Sequence, residues 1–503
     1  MFDKIVSVIE KVNTFLNNIV WGWPVIILIL GTGLLLSIRT GFLQLRKFGT
    51  SLNTTIIPTL KSLGKQKKED KDAQSVSQFE AFSAAISGTV GTGNIIGVVS
   101  AILTGGPGAV LWMWISAFFG MVTNYAENVL GLYFRKKDKE GNFSGGPFYY
   151  IYYGLKWKWL AYLASVFTVL AAIGMSGVQT NKISGTVSDA LSKAFSFENM
   201  TAVKLIIGFI VAVVAALIII GGIKRIGKVA SMLVPFMSLA FIAMALIVII
   251  MNVTAIPSAF ELIFDNAFNF KAAGGGICGY AFATVIKKGM ARGVFSNEAG
   301  LGSSVIAHSA SETREPVKQG LWGVFEVFFD TFIICTLTAL MMLTSVDITA
   351  FTGTENDTAT SLSLFSDNFG TFGTVVFSVI LPLFAFTTIL AWSYYGEKAT
   401  EFCFGAFGEK GSKIAVLVFK VAYILLIVAS AVIESELVWS ISDTCNGLMA
   451  IPNLICVVAL SGLVTKITKN YFDRKKGKNV EPMLSAYDDL NEEFKQYIKE
   501  NSD

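Results

Sequence analysis

Charged residues are scarce in this sequence, and so are histidines and paired cysteines. Only 15% of the 503 residues are charged, whereas 53% are hydrophobic, and the deficit of charge extends along the whole chain. Because soluble domains carry about 25% charged residues, the composition predicts a chain that crosses the membrane repeatedly. The single histidine, His308, argues against a histidine metal site, and five cysteines without CxxC spacing argue against a disulfide framework.

Enzymatic chemistry is not expected either. The sequence offers no GxSxG motif with a partnered base and no cysteine-rich site, and an enzyme needs a nucleophile, a base or a metal cluster. The lipid bilayer is the expected partner, and no nucleic-acid partner is expected.

Eleven runs can cross a bilayer, for which about 20 apolar residues are needed. We therefore predict an all-α polytopic membrane protein with eleven helices, the fourth of which can continue past Gln179 towards Ala194. The first run is too long for a signal-peptide core and lacks a small-residue cleavage site, so it counts as a span. The predicted helices occupy 18–38, 82–104, 108–134, 158–182, 202–221, 228–252, 273–291, 318–344, 372–396, 413–433 and 438–464.

Basic residues mark every second loop. They are concentrated after the first, third and fifth helices and in the C-terminal tail, whereas the stretch 345–370 has none. Since cytoplasmic loops carry the excess of lysine and arginine, the N-terminus is predicted to lie outside and the C-terminus in the cytoplasm. Residues 1–17 are then extracellular, 39–81 form a basic cytoplasmic segment, and 465–503 form a cytoplasmic tail with a short helix near Asp488–Lys499.

The second helix contains the sequence SGTVGTGNIIG, from Ser87 to Gly97, at the depth of the bilayer. Each glycine costs a helix roughly 1 kcal/mol relative to alanine, and backbone that leaves a helix in lipid must find partners or line a polar cavity. We therefore predict that this helix unwinds around a ligand, with close helix packing through small residues as the alternative. Between Ser83 and Arg135 the only charged residue is Glu127, which suits a net-neutral ligand.

A second glycine cluster, Gly274–Gly279, predicts a break in the seventh helix, with close packing or a flexible extracellular entry as alternatives. Without the extra first helix, ten helices remain, and the two broken ones are the first and sixth of these. This pattern is typical of secondary transporters built from two inverted repeats. The predicted transporter core, 82–464, consists of one five-helix repeat at about 82–252 and another at about 273–464.

Three stretches carry a resemblance to the alanine or glycine:cation symporter family, which has the leucine-transporter-like fold. They are GTVGTGNI at 88–95, GGPFYY at 145–150 and ARGVFSNEAGLGS at 291–303. The resemblance implies uptake of small neutral amino acids, chiefly alanine or glycine, driven by sodium across a bacterial plasma membrane. The predicted topology puts the third stretch on the cytoplasmic side, where Arg292 and Glu298 are expected to pair and latch an inner gate.

The resemblance also implies a binding site for a zwitterion, since N–H groups at the start of a half-helix favour a carboxylate. Gln179 could instead bond between helices, and Trp392 could instead lie at the membrane interface. The residues expected around the substrate are Gly91, Thr92, Gly93, Asn94, Gln179, Gly276, Ile277, Phe282 and Trp392.

Sodium is the co-transported ion that the resemblance implies. A hard cation takes several oxygen ligands, although consecutive hydroxyls in an apolar helix also bond back to carbonyls of the preceding turn. The ligands expected for sodium are Gly88, Gly91, Ala385, Thr387 and Thr388.

Two other functions stay open. The main alternative is a proton-coupled amino-acid carrier of the same fold, for which Asp330 is the candidate coupling acid, while Glu127 and Glu397 are expected to pair with basic residues. An ion channel is less favoured, because two unlike broken helices indicate alternating access rather than a continuous pore.

Overall fold

The computed structural model describes residues 2–62, 76–138, 141–194, 199–268, 276–346, 356–433 and 435–500. These ranges are mostly helical, with one short antiparallel pair of strands, β1 (Lys136–Lys137) and β2 (Phe143–Ser144). Eight helical segments among them are long and apolar enough to cross a membrane, and one of these, Asp357–Ser430, contains two successive helices. A polytopic helical membrane protein is thereby confirmed, and its eleven crossings stay a prediction.

The N-terminal region consists of two long helices, which meet at Trp21 and Gly22, followed by three short ones. The predicted extracellular residues 1–17 fall largely within α1, whose Asn13 and Asn17 side chains donate to Ser440 and Thr444 on α20 (Ser435–Lys475). The helices are α1 (Phe2–Val20), α2 (Trp23–Thr40), α3 (Leu43–Arg46), α4 (Phe48–Thr54) and α5 (Ile56–Ser62).

The first predicted repeat begins with an interrupted helix. A capping box starts α6, because the Ser77 hydroxyl accepts from the Glu80 N–H and the Glu80 carboxylate accepts from the Ser77 N–H. The helices are α6 (Gln78–Thr89), a 3-10 turn (Thr92–Asn94), α7 (Ile96–Gly105), α8 (Ala109–Tyr133), α9 (Pro147–Tyr149), a π-helix (Tyr150–Leu155), α10 (Lys158–Ala194), α11 (Met200–Ile219) and α12 (Gly222–Met251). The interruption between α6 and α7 and the extension of α10 to Ala194 agree with the sequence prediction.

In its described residues, the second predicted repeat contains three interruptions, two of which lie in the eighth and ninth predicted helices or directly before them. One is a π-helix (Phe328–Cys335) within the predicted eighth helix, and the other is Gly370, whose φ of +60° bends α18 in a conformation that favours glycine. Helix α13 (Ile256–Phe268) precedes this repeat. The helices of the repeat are α14 (Gly276–Asn297), α15 (Ser304–His308), α16 (Pro316–Val327), α17 (Thr336–Ser345), α18 (Asp357–Phe404), α19 (Gly408–Ser430) and α20.

The second broken helix is interrupted at a different place from the one predicted. Of the glycine cluster, Gly276–Gly279 are helical, and Gly274 and Gly275 lie outside the described residues. The interruption, here called the second break, is 298–303, where Glu298, Gly300 and Gly302 have φ of +56°, +94° and +73°. Glycine alone costs a helix too little to break it, whereas three left-handed residues cannot continue one. The stretch 291–303 therefore consists of the last residues of α14 and the second break, and is not a cytoplasmic loop after a complete helix.

The C-terminal tail is folded against the loop that follows α8. Helix α21 (Asp488–Glu500) lies where a short helix was predicted. Its Leu490 and Phe494 pack with Phe143 and Leu484 in a small apolar cluster separate from the main core. The tail thereby covers the face of the protein that the charge pattern predicts to be cytoplasmic.

Candidate functional site

The backbone between α6 and α7, residues 90–95, is here called the first break. The Gly91 N–H donates to Asn94 Oδ1 at 2.8 Å, and the Thr92 N–H donates to Gln179 Oε1 at 3.4 Å. Because these two N–H groups bond to side chains, the carbonyls of Ser87 and Gly88 lack the partners that a continuous helix would give them. Two amide side chains thus hold the break open within the protein interior.

Helix α18 meets the first break at Thr388. Its hydroxyl oxygen lies 3.0 Å from Ser87 O and 3.0 Å from Phe384 O. A Cβ on Gly91 would lie only 2.5 Å from this oxygen, so the approach requires glycine at 91. Gly88 lies close to the same helix, where a Cβ would meet the Tyr395 hydroxyl at 2.8 Å.

The other expected sodium ligands on α18 are also fully buried, but the two hydroxyls diverge. Thr387 bonds to Phe384 O at 3.0 Å, and its oxygen lies 3.8 Å from the sulfur of Met237 on α12. The structure thus brings Gly88, Gly91 and Thr388 together and directs the Thr387 hydroxyl towards α12. The back-bonding expected of hydroxyls in an apolar helix occurs at both threonines.

A buried acid lies beside the first break. Asn94 Nδ2 donates to Asp330 Oδ1 at 2.5 Å, and the hydroxyls of Ser296 and Thr331 donate to Asp330 Oδ2 at 3.0 and 2.8 Å. Asp330 comes from the π-helix, a distortion frequent at functional sites. The assembled site thus includes an acidic side chain from a helix other than the one that contains the first break. The Asn94 amide therefore bonds to the first break through its oxygen and to Asp330 through its nitrogen.

An aromatic stack separates the first break from a large outer cavity. Phe295 stacks on Trp439 with ring centroids 5.3 Å apart, and a Cβ on Gly93 would lie 3.3 Å from the Phe295 ring. Next to the stack, Arg292 forms a salt bridge of 2.9 Å with Asp443 on α20. Arg292, Asp443 and Trp439 line a cavity of about 700 Å³ on the face predicted to be extracellular. A ligand at the break would therefore be closed off from that cavity.

Glu298 is buried at the second break and has partners other than the one expected. Its carboxylate accepts from Trp392 Nε1 at 2.9 Å and from the Ser303 hydroxyl at 2.5 Å. The expected pairing of Arg292 with Glu298 is wrong, because Arg292 faces α20 while Glu298 lies beyond the end of α14. Trp392 is fully buried, so it does not lie at the membrane interface.

The remaining predicted substrate residues lie far from the first break. Gly276 and Ile277 stand at the start of α14, and Phe282 packs on Trp112 with ring centroids 6.3 Å apart. At 1.5 Å per residue, Phe282 is about 20 Å along the helix axis from Phe295, the α14 residue that lies against Gly93 of the first break. The structure does not bring these three residues to the site.

Of the two acids expected to pair with basic residues, one does so and the other does not. Glu397 forms a salt bridge of 3.0 Å with Lys420, as expected. Glu127 instead accepts from the Asn453 amide, which also donates to Gly300 O at 2.8 Å. The expectation of a basic partner for Glu127 is therefore wrong, and the Asn453 amide joins both Glu127 on α8 and the second break to α20.

Sequence reasoning missed Phe295, Glu298 and Trp439 as parts of the site. Phe295 and Glu298 lie within the stretch 291–303, so a signal was present, but the stretch was assigned to a cytoplasmic loop rather than to an interrupted helix. Trp439 lies in an apolar run with no accompanying motif, and its contact with Phe295 depends on packing between distant segments.

Known proteins resemble this chain along almost its whole length. The model of the sodium:alanine symporter family matches residues 6–485. The sodium/alanine symporter AgcS of Methanococcus maripaludis is 40% identical over 480 residues, which cover 94% of this chain and 98% of the relative. A Bacillus subtilis protein named as a probable sodium/glutamine symporter, GlnT, is 35% identical over 471 residues, 93% of this chain and 92% of the relative. A crystal structure of MhsT in complex with L-phenylalanine has a TM-score of 0.56 at 14% identity, covering 78% of this chain and 98% of that one.

Proposed function

The chain belongs to the sodium:alanine symporter family, and from this premise we propose that it imports alanine or glycine together with sodium by alternating access. Membership makes it a multi-pass transporter of the plasma membrane and not an enzyme. The identity of the amino acid and of the coupling ion, and the residues that bind them, belong to the proposal.

The first break is the observation that carries this proposal. It is fully buried, its helical hydrogen bonds are lost at Ser87 and Gly88, and the Thr92 hydroxyl has no hydrogen-bond partner among the described residues. Buried polar groups without partners are costly, so a ligand that supplies those partners would stabilise the break.

Sodium is proposed to bind between the first break and α18. Carbonyl oxygens of Gly88, Gly91 and Ala385 and the hydroxyl of Thr388 supply the oxygen ligands that a hard cation takes. Thr387 joins this set only after its hydroxyl turns away from Met237.

The amino acid is proposed to bind between the first break and the Phe295–Trp439 stack. N–H groups at the start of a half-helix favour its carboxylate, and Thr92 offers a hydroxyl. The Phe295 ring lies against Gly93, and this close approach disfavours a substrate with a large side chain. Rearrangement of the stack and of the Arg292–Asp443 pair would open the site to the outer cavity.

Proton coupling is the second candidate, and Asp330 favours it. This acid is fully buried, and its hydrogen-bond donors are Asn94, Ser296 and Thr331, with no basic residue among its described contacts. A buried carboxylate without a cation is unfavourable, so Asp330 would hold a proton or lie beside a bound cation. Replacing sodium with choline at fixed pH distinguishes the two mechanisms.

Binding of radiolabelled alanine to Gly93→Val tests the proposed substrate site. A valine side chain at this position would meet the Phe295 ring, so alanine binding should be lost while the protein still inserts in the membrane. Gly49→Val is the matched control, because a Cβ at Gly49 on α4 meets nothing within 4 Å. Unchanged alanine affinity in Gly93→Val would show that the site lies elsewhere.

A further inference from the structure

A buried polar cluster, distinct from the site described above, lies where α8, α15 and α16 meet. Its central residue is His308, at the end of α15. The cluster consists of Asn124, Asn128, Ser304, His308, Gln319 and Glu326, and all six side chains are at most 1% exposed. Neither the proposed substrate site nor the proposed sodium site uses any of them.

His308 is bonded through both ring nitrogens. Its Nε2 lies 2.8 Å from Glu326 Oε2, and its Nδ1 lies 2.6 Å from Gln319 Nε2. Around this triad, Asn128 donates to Asn124 at 2.7 Å, and Asn124 donates to the Ser304 hydroxyl at 3.2 Å. The two helices α8 and α16 are thus joined to α15 by side-chain hydrogen bonds.

Three buried acceptor atoms of the cluster lack a donor within the ranges that the structure describes. Glu326 Oε1, Gln319 Oε1 and Asn128 Oδ1 are buried without a hydrogen-bond partner among the described residues. A buried acceptor without a donor is unfavourable. An added proton on the imidazole or the carboxyl would supply a missing donor, which makes this pair a place where a proton is stabilised.

The balance of charge also favours a bound proton on the His308–Glu326 pair. The His308–Glu326 pair is neutral when it holds one proton, either as imidazole and carboxylic acid or as imidazolium and carboxylate. Both forms fit, because the Gln319 amide offers its nitrogen to a bare Nδ1 and, after rotation, its oxygen to a protonated one. Loss of the proton would leave a buried carboxylate, which is strongly disfavoured until water enters.

No basic side chain neutralises Glu326 in the described part of the chain. Helix α4 has no charged residue, and Glu80 on α6 is engaged in the cap with Ser77. Arg135, after α8, donates to the carbonyls of Ser309, Ser311 and Thr313, and Arg474 on α20 pairs with Glu315. The other titratable groups around the pair are Glu127, Glu298, Asp330 and Tyr395.

The cluster is joined to the second break through adjacent serines. Ser303 donates to Glu298, which also accepts from Trp392 on α18, and Ser304 accepts from Asn124 in the cluster. A movement of the second break would therefore displace His308 relative to Glu326.

We propose that the His308–Glu326 pair is a proton-binding site linked to the transport cycle. The pair keeps its proton while the cytoplasmic face is closed and gives it to water when α15 moves, so that carboxylic acid and water become carboxylate and hydronium. The link to transport rests on the proposed function, but the site itself does not.

Nitrogen NMR tests this site directly, because His308 is the only histidine in the chain. Protein with ¹⁵N-labelled histidine and a tag free of histidine, reconstituted in lipid nanodiscs, gives signals from this ring alone. Spectra are recorded from pH 5 to 9, with sodium and alanine present and with choline and no alanine. The expected result is a ring whose protonation differs between the two conditions at the same pH.

A variant that loosens the cytoplasmic face separates the site from the proposed substrate. Arg135→Gln removes the guanidinium that holds the three carbonyls after α15, and the ring in this variant should titrate with pH even if alanine does not bind. Glu326→Gln, with the surface variant Glu493→Gln as its control, should move that titration to lower pH, because the imidazolium loses the carboxylate that stabilises it. Ring signals that are identical in both ligand conditions and in Arg135→Gln would overturn the proposal and identify a purely structural pair.

Discussion

Removal of the Thr388 hydroxyl is the sharpest test of the proposed sodium site. Valine keeps the branched shape and deletes the oxygen that lies 3.0 Å from Ser87 O and 3.0 Å from Phe384 O. Loss of one oxygen ligand should cost about 1–3 kcal/mol, as for a buried polar group left without its partner. That range corresponds to roughly a 5–150-fold loss of sodium affinity.

The assay is alanine binding measured as a function of sodium concentration. Because the coupling between the two ligands is reciprocal, Thr388→Val should need more sodium for half-maximal alanine binding, and saturating sodium should restore much of the alanine affinity. Thr388→Ser keeps the hydroxyl and should resemble the wild type. Thr387→Val should have the smaller effect, since its hydroxyl faces Met237. Wild-type sodium dependence in Thr388→Val would refute the reasoning and direct attention to Asp330.

Three further outcomes are expected. Gly91→Ala should abolish binding of radiolabelled alanine, because its Cβ would lie 2.5 Å from the Thr388 hydroxyl oxygen. Gly97→Ala is the control and should bind alanine normally, since its Cβ would have no neighbour closer than 4.0 Å. Equal alanine binding by both variants would count against the site. Phe494→Ala should loosen the docked tail by about 3 kcal/mol, seen as faster amide exchange in α21, and unchanged exchange would contradict that docking. Cysteine probes should be labelled from outside at Asn356 and only from inside at Lys61, and the reverse pattern would contradict the predicted topology.

The first break could be predicted because its glycines interrupt an apolar run at close spacing. The continuation of α10 to Ala194 and the tail helix near Asp488 were likewise readable from periodicity and charge. The second break could not be located, because the sequence has two glycine clusters, one at 274–279 and one at 300–302, and either could interrupt a helix. Only the backbone shows that Gly300 and Gly302 adopt left-handed φ while Gly276 and Gly279 remain helical.

Contacts between segments that are distant along the chain could not be predicted from the sequence. Asn94 and Asp330 are separated by 236 positions and share a hydrogen bond, and nothing local pairs them. Thr387 and Thr388 are adjacent on one helix, so they point about 100° apart. Which of them faces the first break depends on how α18 is rotated against α6, and this is fixed by packing along the whole helix.

Sodium-driven alanine uptake into proteoliposomes tests the central claim most directly. With sodium outside and potassium inside at fixed pH, the account predicts saturable, concentrative alanine uptake that disappears when choline replaces sodium or when the sodium gradient is dissipated. Uptake that persists in choline and follows a pH gradient instead would contradict sodium symport.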